Sequence, residues 1–183
     1  MYDAVLRDPS FFRSLVRIDQ ELAAETRRAG CPHCAGALHV SDFPRKPRGC
    51  PTAVVEEYSS RFSFTCGNCD QRTTAASVRF LGRRVYVAAV LMLSSPPQGH
   101  AARQWCALLS IPRRTLLRWR QWWTEEFVRT RCWQALRSRF VPSVARTQLP
   151  HSLLDRFKRG GAADRLAQAL HFLSSLSVPA MIK

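Results

Sequence analysis

The sequence predicts a mainly α-helical chain with one small β-ribbon. Three observations carry that expectation: two Cys-x-x-Cys pairs bracket strand-like sequence, apolar residues recur at helical spacing over most of the remainder, and prolines and glycines cut those runs short. With 183 residues, 46% of them hydrophobic, the chain suffices for one ordinary domain or two small ones. Four regions are expected in order: an amphipathic helix within 1–30, a cysteine-clamped ribbon over 31–82, two helices around a tight turn within 83–140, and a helical segment over 141–183 whose role the sequence leaves open. No internal repeat and no low-complexity tract is apparent.

Charge narrows the partners. Lys plus Arg number 28 against 13 Asp plus Glu, a formal charge of +15, and such a field favours a polyanion, above all nucleic acid. All but three of the basic residues are Arg. Coding bias can favour Arg over Lys, but it does not explain the surplus over acids. A membrane surface or an acidic protein are the other candidates for such a field. No stretch reaches the ~18 apolar residues of a membrane span, and MYDAVLRDPS has neither a basic leader nor an apolar signal core. The expectation is therefore an intracellular protein, cytoplasmic and nucleoid-associated. In that reducing compartment seven cysteines point to metal or catalysis rather than disulfides.

Element by element, DPSFFRSLVRIDQELAAETRRAG reads as a helix from about residue 9 to 28, with Asp8 as N-cap, Pro9 in the first turn and Gly30 as the stop. Its apolar stripe is Phe11, Leu15, Ile18 and Leu22. Residues 31–53 hold CPHC and then SDFPRKPRGCP, whose prolines and glycines predict a loop. From Val54 to Thr65, β-branched and aromatic content rises, with Tyr58, Phe62 and Phe64 spaced as strand residues. A second knuckle follows, then a strand through Val78 and Phe80. RRVYVAAVLMLSS predicts a short buried helix ending near Leu93, and SLLDRFKR and AADRLAQALHFLSSL keep helical spacing around a break at Gly160 and Gly161.

Cys31 and Cys34, then Cys66 and Cys69, form two pairs with 31 residues between them. Two thiolates from each of two tight turns are what a tetrahedral Zn²⁺ requires, and Gly67 suits the second turn. A redox pair would open a helix in a βαβ pattern, and CPHC has no such helix after it. One structural zinc is expected, because four cysteine ligands leave no position for a substrate water. His33, His39 and Cys50 are alternative ligands, Cys50 foremost. Cys106 and Cys132, beside tryptophans, read as ordinary buried residues.

The stretch HAARQWCALLSIPRRTLLRWRQWWTEEFVRTRCWQALRSRF predicts a helix to Leu109, a turn over Ser110 to Pro112, and a longer helix from Arg113. At 100° per residue, Leu116, Trp119, Trp123 and Phe127 share one face, the core side. Opposite lie Arg114, Arg118 and Gln121, flanked by Arg113, Leu117 and Thr115, the types of side chain that read guanine, adenine and phosphate. The preceding helix packs through Ala102, Leu108 and Leu109, Ile111 fills the corner, and Arg103 and Gln104 face backbone phosphates. The competing reading is a merely solvated basic face.

From Cys31 to about Phe127 the sequence resembles the N-terminal region of bacterial insertion-sequence transposases, a zinc ribbon followed by a helix-turn-helix. FTCGNCDQRTTAASVRFLGRRVYVAAVLML is similar to their second knuckle, the strand after it and an apolar helix. ARQWCALLSIPRRTLLRWRQWW resembles their second and third helices, including Thr115, Leu116, Arg118 and Trp119. The resemblance implies that Arg113, Arg114 and Arg118 lie in or near the major groove and that Trp119 anchors the helix. Pro112 departs from the pattern, standing where a capping Ser or Thr is usual.

Those transposases continue into a catalytic domain with three metal-binding carboxylates. After the ribbon this chain's acids are Asp70, Glu125, Glu126, Asp155 and Asp164, none on an apolar strand. Tyr2, Tyr58 and Tyr86 lie outside the basic C-terminal half, and His100, His151 and His171 come without a nucleophile motif. A non-enzyme is expected: a double-stranded DNA-binding accessory or regulatory factor of a mobile element, with C-terminal helices that recruit a recombinase, transposase or polymerase. Arg72, Thr73 and Thr74 would contact phosphate from the strand leaving the clamp, and the aromatic run Trp119 to Trp133 is an alternative docking surface. An RNA-binding ribbon, with Tyr58, Phe62 or Phe64 as stacking platforms, and a scaffold for an acidic partner are the other classes.

Overall fold

The structure, a computed structural model, describes residues 2–82, 84–94, 103–104, 106–107 and 109–177. It is mostly helical, with a small antiparallel sheet and a cysteine cluster. The chain divides into two compact units, one comprising Asp3–Ala88 and the chain from Leu170 onward, the other Ala89–Ala169 with Tyr2.

In the first unit a short helix α1 (Asp3–Arg7) precedes the long α2 (Pro9–Ala29). Asp8 caps α2 by accepting from the Ser10 amide at 2.8 Å, and proline opens its first turn, where no donor is missed. Gly30, with φ +75°, closes it. The buried stripe is Phe11, Phe12, Leu15, Asp19 and Ala23, whereas Ile18 and Leu22 are only half-buried. The expected stripe is therefore rotated by about one residue, because an aspartate occupies the centre of the buried face.

Three strands form an antiparallel sheet in the order β1 (Leu38–Val40), β4 (Ser63–Cys66), β5 (Arg72–Thr74). Leu38 pairs with Cys66 and Phe64 with Thr73. A second two-stranded pair joins β2 (Phe43–Pro44) to β3 (Ser60–Arg61). Two strand expectations need correction. Val54 and Tyr58 sit in 3-10 turns rather than a strand, since the buried Tyr58 hydroxyl donates to the Phe12 carbonyl at 2.9 Å and its ring packs on Phe12 and Phe80. The strand after the second knuckle ends at Thr74, and Val78 and Phe80 are buried in irregular chain. There the backbone donates to a side chain instead of a neighbouring strand: the Val78 amide reaches Asp19 Oδ1 at 2.6 Å. β1 and β2, in the segment expected to be loop, were missed because each is only two or three residues long.

In the second unit, α4 (Arg113–Gln121) continues through a π turn, Trp122–Glu126, and a 3-10 turn, Phe127–Arg129. Before α4 comes the helix α3 (Ala88–Leu93), whose first residue belongs to the first unit. Thr130 ends the long run and caps α5 (Arg131–Leu136), its hydroxyl accepting from the Trp133 amide at 3.2 Å. Leu116, Trp119, Trp123, Phe127 and Trp133 are all buried. Trp123 lies 4.9 Å from Phe127, which lies 5.0 Å from Trp133. This aromatic run is the unit's own core, so the alternative of a docking surface there is set aside. α6 (His151–Leu154) and α7 (Ala162–Leu173), whose residues from Leu170 belong to the first unit, follow, separated by Gly160 at φ +80°. No helix among the described residues is long and apolar enough to cross a membrane.

Candidate metal centre

The two knuckles repeat one another bond for bond, although the sequence offers no repeat beyond the cysteine spacing. In the first, the Ala35 amide donates to the Cys31 carbonyl at 2.8 Å and the Cys31 amide to the Gly36 carbonyl at 2.9 Å. In the second, the Asp70 amide donates to the Cys66 carbonyl at 3.1 Å and the Cys66 amide to the Gln71 carbonyl at 3.0 Å. Ala35 and Asp70, each just after the second cysteine of its knuckle, take left-handed φ values of 56° and 54°. Such a turn points two sulfurs and successive amides to the same side. The His33 amide faces Cys31 Sγ at 3.5 Å, as the Asn68 amide faces Cys66 Sγ at 3.4 Å.

β1 and β4 bring the turns together, with the Gly67 amide donating to the Ala37 carbonyl at 3.0 Å. The result is four sulfurs, from Cys31, Cys34, Cys66 and Cys69, all within 4.8 Å of one another, a group that could hold a metal ion. Cys31 and Cys69 stand 3.6 Å apart, Cys34 and Cys66 3.4 Å. Tetrahedral coordination at ~2.3 Å per thiolate implies sulfur separations of about 3.8 Å, so the cluster has the right size for one ion.

Electrostatics within the cluster favour a cation. Cys66 is lowered to about 6, chiefly by the amides of Asn68 and Cys69. For Cys69 the Gln71 amide pulls downward, but burial and the three neighbouring sulfurs outweigh it and push the thiol up to about 12. The Gly36 amide likewise pulls Cys34 downward, with help from Cys69, yet the Cys66 and Cys31 sulfurs and burial leave it raised. Four thiolates this close repel one another unless a positive ion sits among them.

The cysteines read from spacing are thus the ones brought together, and Cys50, His33 and His39 are not in the group. Cys50 is half-buried elsewhere, its thiol raised by burial. Cys106 and Cys132 are half-buried rather than buried. Gly36 was missed: a Cβ there would come within 3.0 Å of Cys66 Sγ and 2.7 Å of the Asn68 side chain. The signal for it was its place two residues after CPHC, where the chain must pass the opposite knuckle.

Residues expected to meet DNA are distributed as follows. Arg113, Arg114, Arg118 and Gln121 are exposed on α4, Thr115 is half-buried, and Leu117 is 52% exposed. Pro112 stands before the first turn without a side-chain cap, its carbonyl accepting from Thr115 and Leu116. In the preceding segment Arg103 and Gln104 are helical and exposed, Leu109 is half-buried and Ile111 buried, while Ala102 and Leu108 lie outside the described residues. Ser110 turns the chain with φ +50°. Arg72 is exposed but largely committed: it donates to the Ser63 hydroxyl at 3.1 Å and to the Ser41 carbonyl at 2.9 Å, and its guanidinium lies over Phe43. It braces the sheet. Thr73 and Thr74 beside it are half-buried.

The interior of the first unit holds an ionic network that spacing did not reveal. Asp19 Oδ2 accepts from Arg79 Nε at 2.7 Å and from the Ser77 hydroxyl at 2.6 Å, with both members of the ion pair about 1% exposed. The Arg79 guanidinium also donates to the Glu57 carbonyl and lies 5.0–5.2 Å from the rings of Phe62, Tyr58 and Phe80. Compared with protein-family models, curated proteins and solved structures, the chain has no match.

Proposed function

We propose that this protein binds double-stranded DNA, that its cysteine cluster is a structural zinc ribbon, and that it serves a mobile element as an accessory or regulatory factor. One observation carries the DNA reading. Arg113, Arg114, Arg118 and Gln121 are exposed on α4, a helix whose other face, Leu116 and Trp119, is buried and which follows a tight turn. That is the presentation a recognition helix needs: a rigid backbone with guanidinium groups exposed to meet base edges, beside a Gln121 amide that donates to the Glu125 carboxylate at 3.0 Å. Affinity would come from the +15 charge and sequence preference from Arg114 and Arg118. Zinc is the ion that four thiolates in tetrahedral array select, and a closed set of four gives it a structural role.

The mobile-element setting rests on the likeness of the knuckle and helix segments to transposase N-terminal regions. With it come a binding rather than catalytic role, a cytoplasmic, nucleoid-associated location, and recruitment of a recombinase by the C-terminal helices. RNA binding through aromatic platforms loses its support, because Tyr58 and Phe64 are buried and Phe62 lies against Arg79. An acidic protein partner would use the same basic face, and titration separates it from DNA.

The test is a titration of the zinc-loaded chain against duplex, single-stranded and RNA oligomers across a salt series. Duplex should bind best. Arg114→Ala with Arg118→Ala should weaken it at least about tenfold, since base contacts are worth ~1–3 kcal/mol each. Unchanged duplex binding in that variant, or RNA bound as well as duplex, would sink the reading.

A further inference from the structure

The loop after β1, SDFPRKPRG, delivers an arginine into an interior that already holds two. The Arg45 amide donates to the Ser59 carbonyl at 2.6 Å, and the Arg48 amide to the Val85 carbonyl at 2.9 Å, so the loop is stitched between β3 and the segment before α3. The Arg45 guanidinium then turns inward. It donates to the carbonyls of Gly82 and Arg84 and lies 5.0 Å from the Phe80 ring, which Arg79 also approaches at 5.2 Å. Arg61, only 5% exposed, donates to the same Gly82 carbonyl at 3.2 Å and to those of Ala75 and Ser177 at 3.3 and 2.5 Å.

Charge is unbalanced here. Three guanidinium groups gather around Phe80 and Gly82, and among the described residues the one carboxylate ion-paired with any of them is Asp19, bound to Arg79. Carbonyls satisfy hydrogen bonds but cancel no charge, and a buried unpaired cation is costly. Two buried N–H groups there also lack any acceptor among the described residues: Arg61 Nε and Arg79 Nη2. Burial and the neighbouring Arg45 lower Arg61 to about 10, the same imbalance seen through its proton. On its Cβ side Gly82 is open, since a Cβ built there would meet no described atom beyond its chain neighbours within 4 Å. Outward along the loop, Lys46 and Arg48 are exposed, extending positive potential from the surface toward Arg45.

We propose that Arg45 and Arg61, with Gly82 between them, form a binding site for a phosphate group, entered from the Lys46 and Arg48 side. Guanidinium groups bind phosphate oxygens through paired, charge-assisted N–H bonds, and two converging arginines supply both charge and geometry. The phosphate is either a free ion or a phosphodiester of bound nucleic acid, and the site stands without the duplex-binding reading.

Phosphorus-31 line widths of inorganic phosphate, titrated with the zinc-loaded full chain at constant ionic strength, read binding directly. Saturable broadening is expected. Arg45→Gln, at a half-buried position outside the metal cluster, should weaken it about tenfold, and Lys46→Gln, exposed on the same loop, by less than about twofold. Retained zinc stoichiometry and circular dichroism certify each variant's fold. No broadening, or equal losses in the two variants, overturns the proposal, the second outcome reducing it to a diffuse surface field. A duplex arm assigns the source. If phosphate displaces duplex and Arg45→Gln weakens duplex binding, the ligand is a backbone phosphodiester; if duplex binding is indifferent to both, the site takes free phosphate. Failure to bind duplex at all, with broadening intact, rejects the DNA reading and leaves this one standing.

Discussion

Asp19 ties three donors together in the interior of the first unit. Its two oxygens accept from Arg79, from the Ser77 hydroxyl and from the Val78 amide, all out of contact with water. Removing the carboxylate would strand the Arg79 cation and two further donors. Asp19→Ala should therefore destabilise the first unit by about 3–5 kcal/mol, the usual cost of breaking a buried ion pair from one side. Asp19→Leu combined with Arg79→Met should recover part of that loss, because the stranded cation is gone while the Ser77 and Val78 donors stay unmet. Urea unfolding followed by circular dichroism measures both, and a double variant no better than Asp19→Ala would refute the pairing argument. In the second unit, His151 is half-buried with Nδ1 lacking a partner, and burial lowers its proton affinity below the ordinary value of 6.5, against a weaker upward pull from Asp155. The sign follows: below pH 6.5 the unfolded chain takes up the proton more readily than the folded one, so stability falls on acidification through that range. All five tryptophans lie between residues 105 and 133, so their emission reports this unit. Urea midpoints by tryptophan emission at pH 7.5 and 5.5 should converge for His151→Gln relative to the parent chain.

Among the elements, α2 shows what local signals specify. Aspartate before proline, apolar spacing and a following glycine define its ends, and Asp8→Ala should cost about 1 kcal/mol, read as earlier amide exchange in the first turn. The face it buries was harder to read. A helical period fixes which residues share a side, but Asp19 is accepted inside only because Arg79, 60 positions away, meets it. The same blindness to distant partners explains Tyr58 and Val78. Both look like strand residues, and both are held by α2, one through the Phe12 carbonyl and the other through the Asp19 carboxylate. The cysteine clamp was legible because its logic is chemical and local: a fixed spacing makes a fixed turn, and a metal asks for two such turns. The α4 faces were legible for the related reason that a regular helix converts spacing into direction, with Leu116 and Trp119 inside and Arg114 and Arg118 outside. Gly36 and Arg61 escaped notice since their importance comes from what other segments bring against them.

For the molecule as a whole, the proposed metal centre bears on how the sheet of the first unit holds together. The sheet is three short strands, and its apolar cluster is small: Ala23, Leu38, Phe64 and Ala75, with two of the cysteines themselves, Cys31 and Cys66. Burial on that scale does not offset the entropy of ordering some forty residues of loop and strand, about 1–2 kcal/mol each for the backbone alone. An ion binding four thiolates contributes on the order of 10 kcal/mol, comparable to the entire stability of an ordinary domain. The ribbon should then be folded only when loaded. Chelation, or Cys66→Ser, should release one equivalent of zinc and abolish hydrogen-exchange protection across β1, β4 and β5, and restoring zinc to the chelated parent chain should return it. Acid should act alike, since protons compete with the metal for the same sulfurs. Protection that survives complete metal removal would show that the Asp19 and Arg79 network and the Phe12, Tyr58 and Phe80 packing hold the sheet without the ion, and the cluster would lose its structural role.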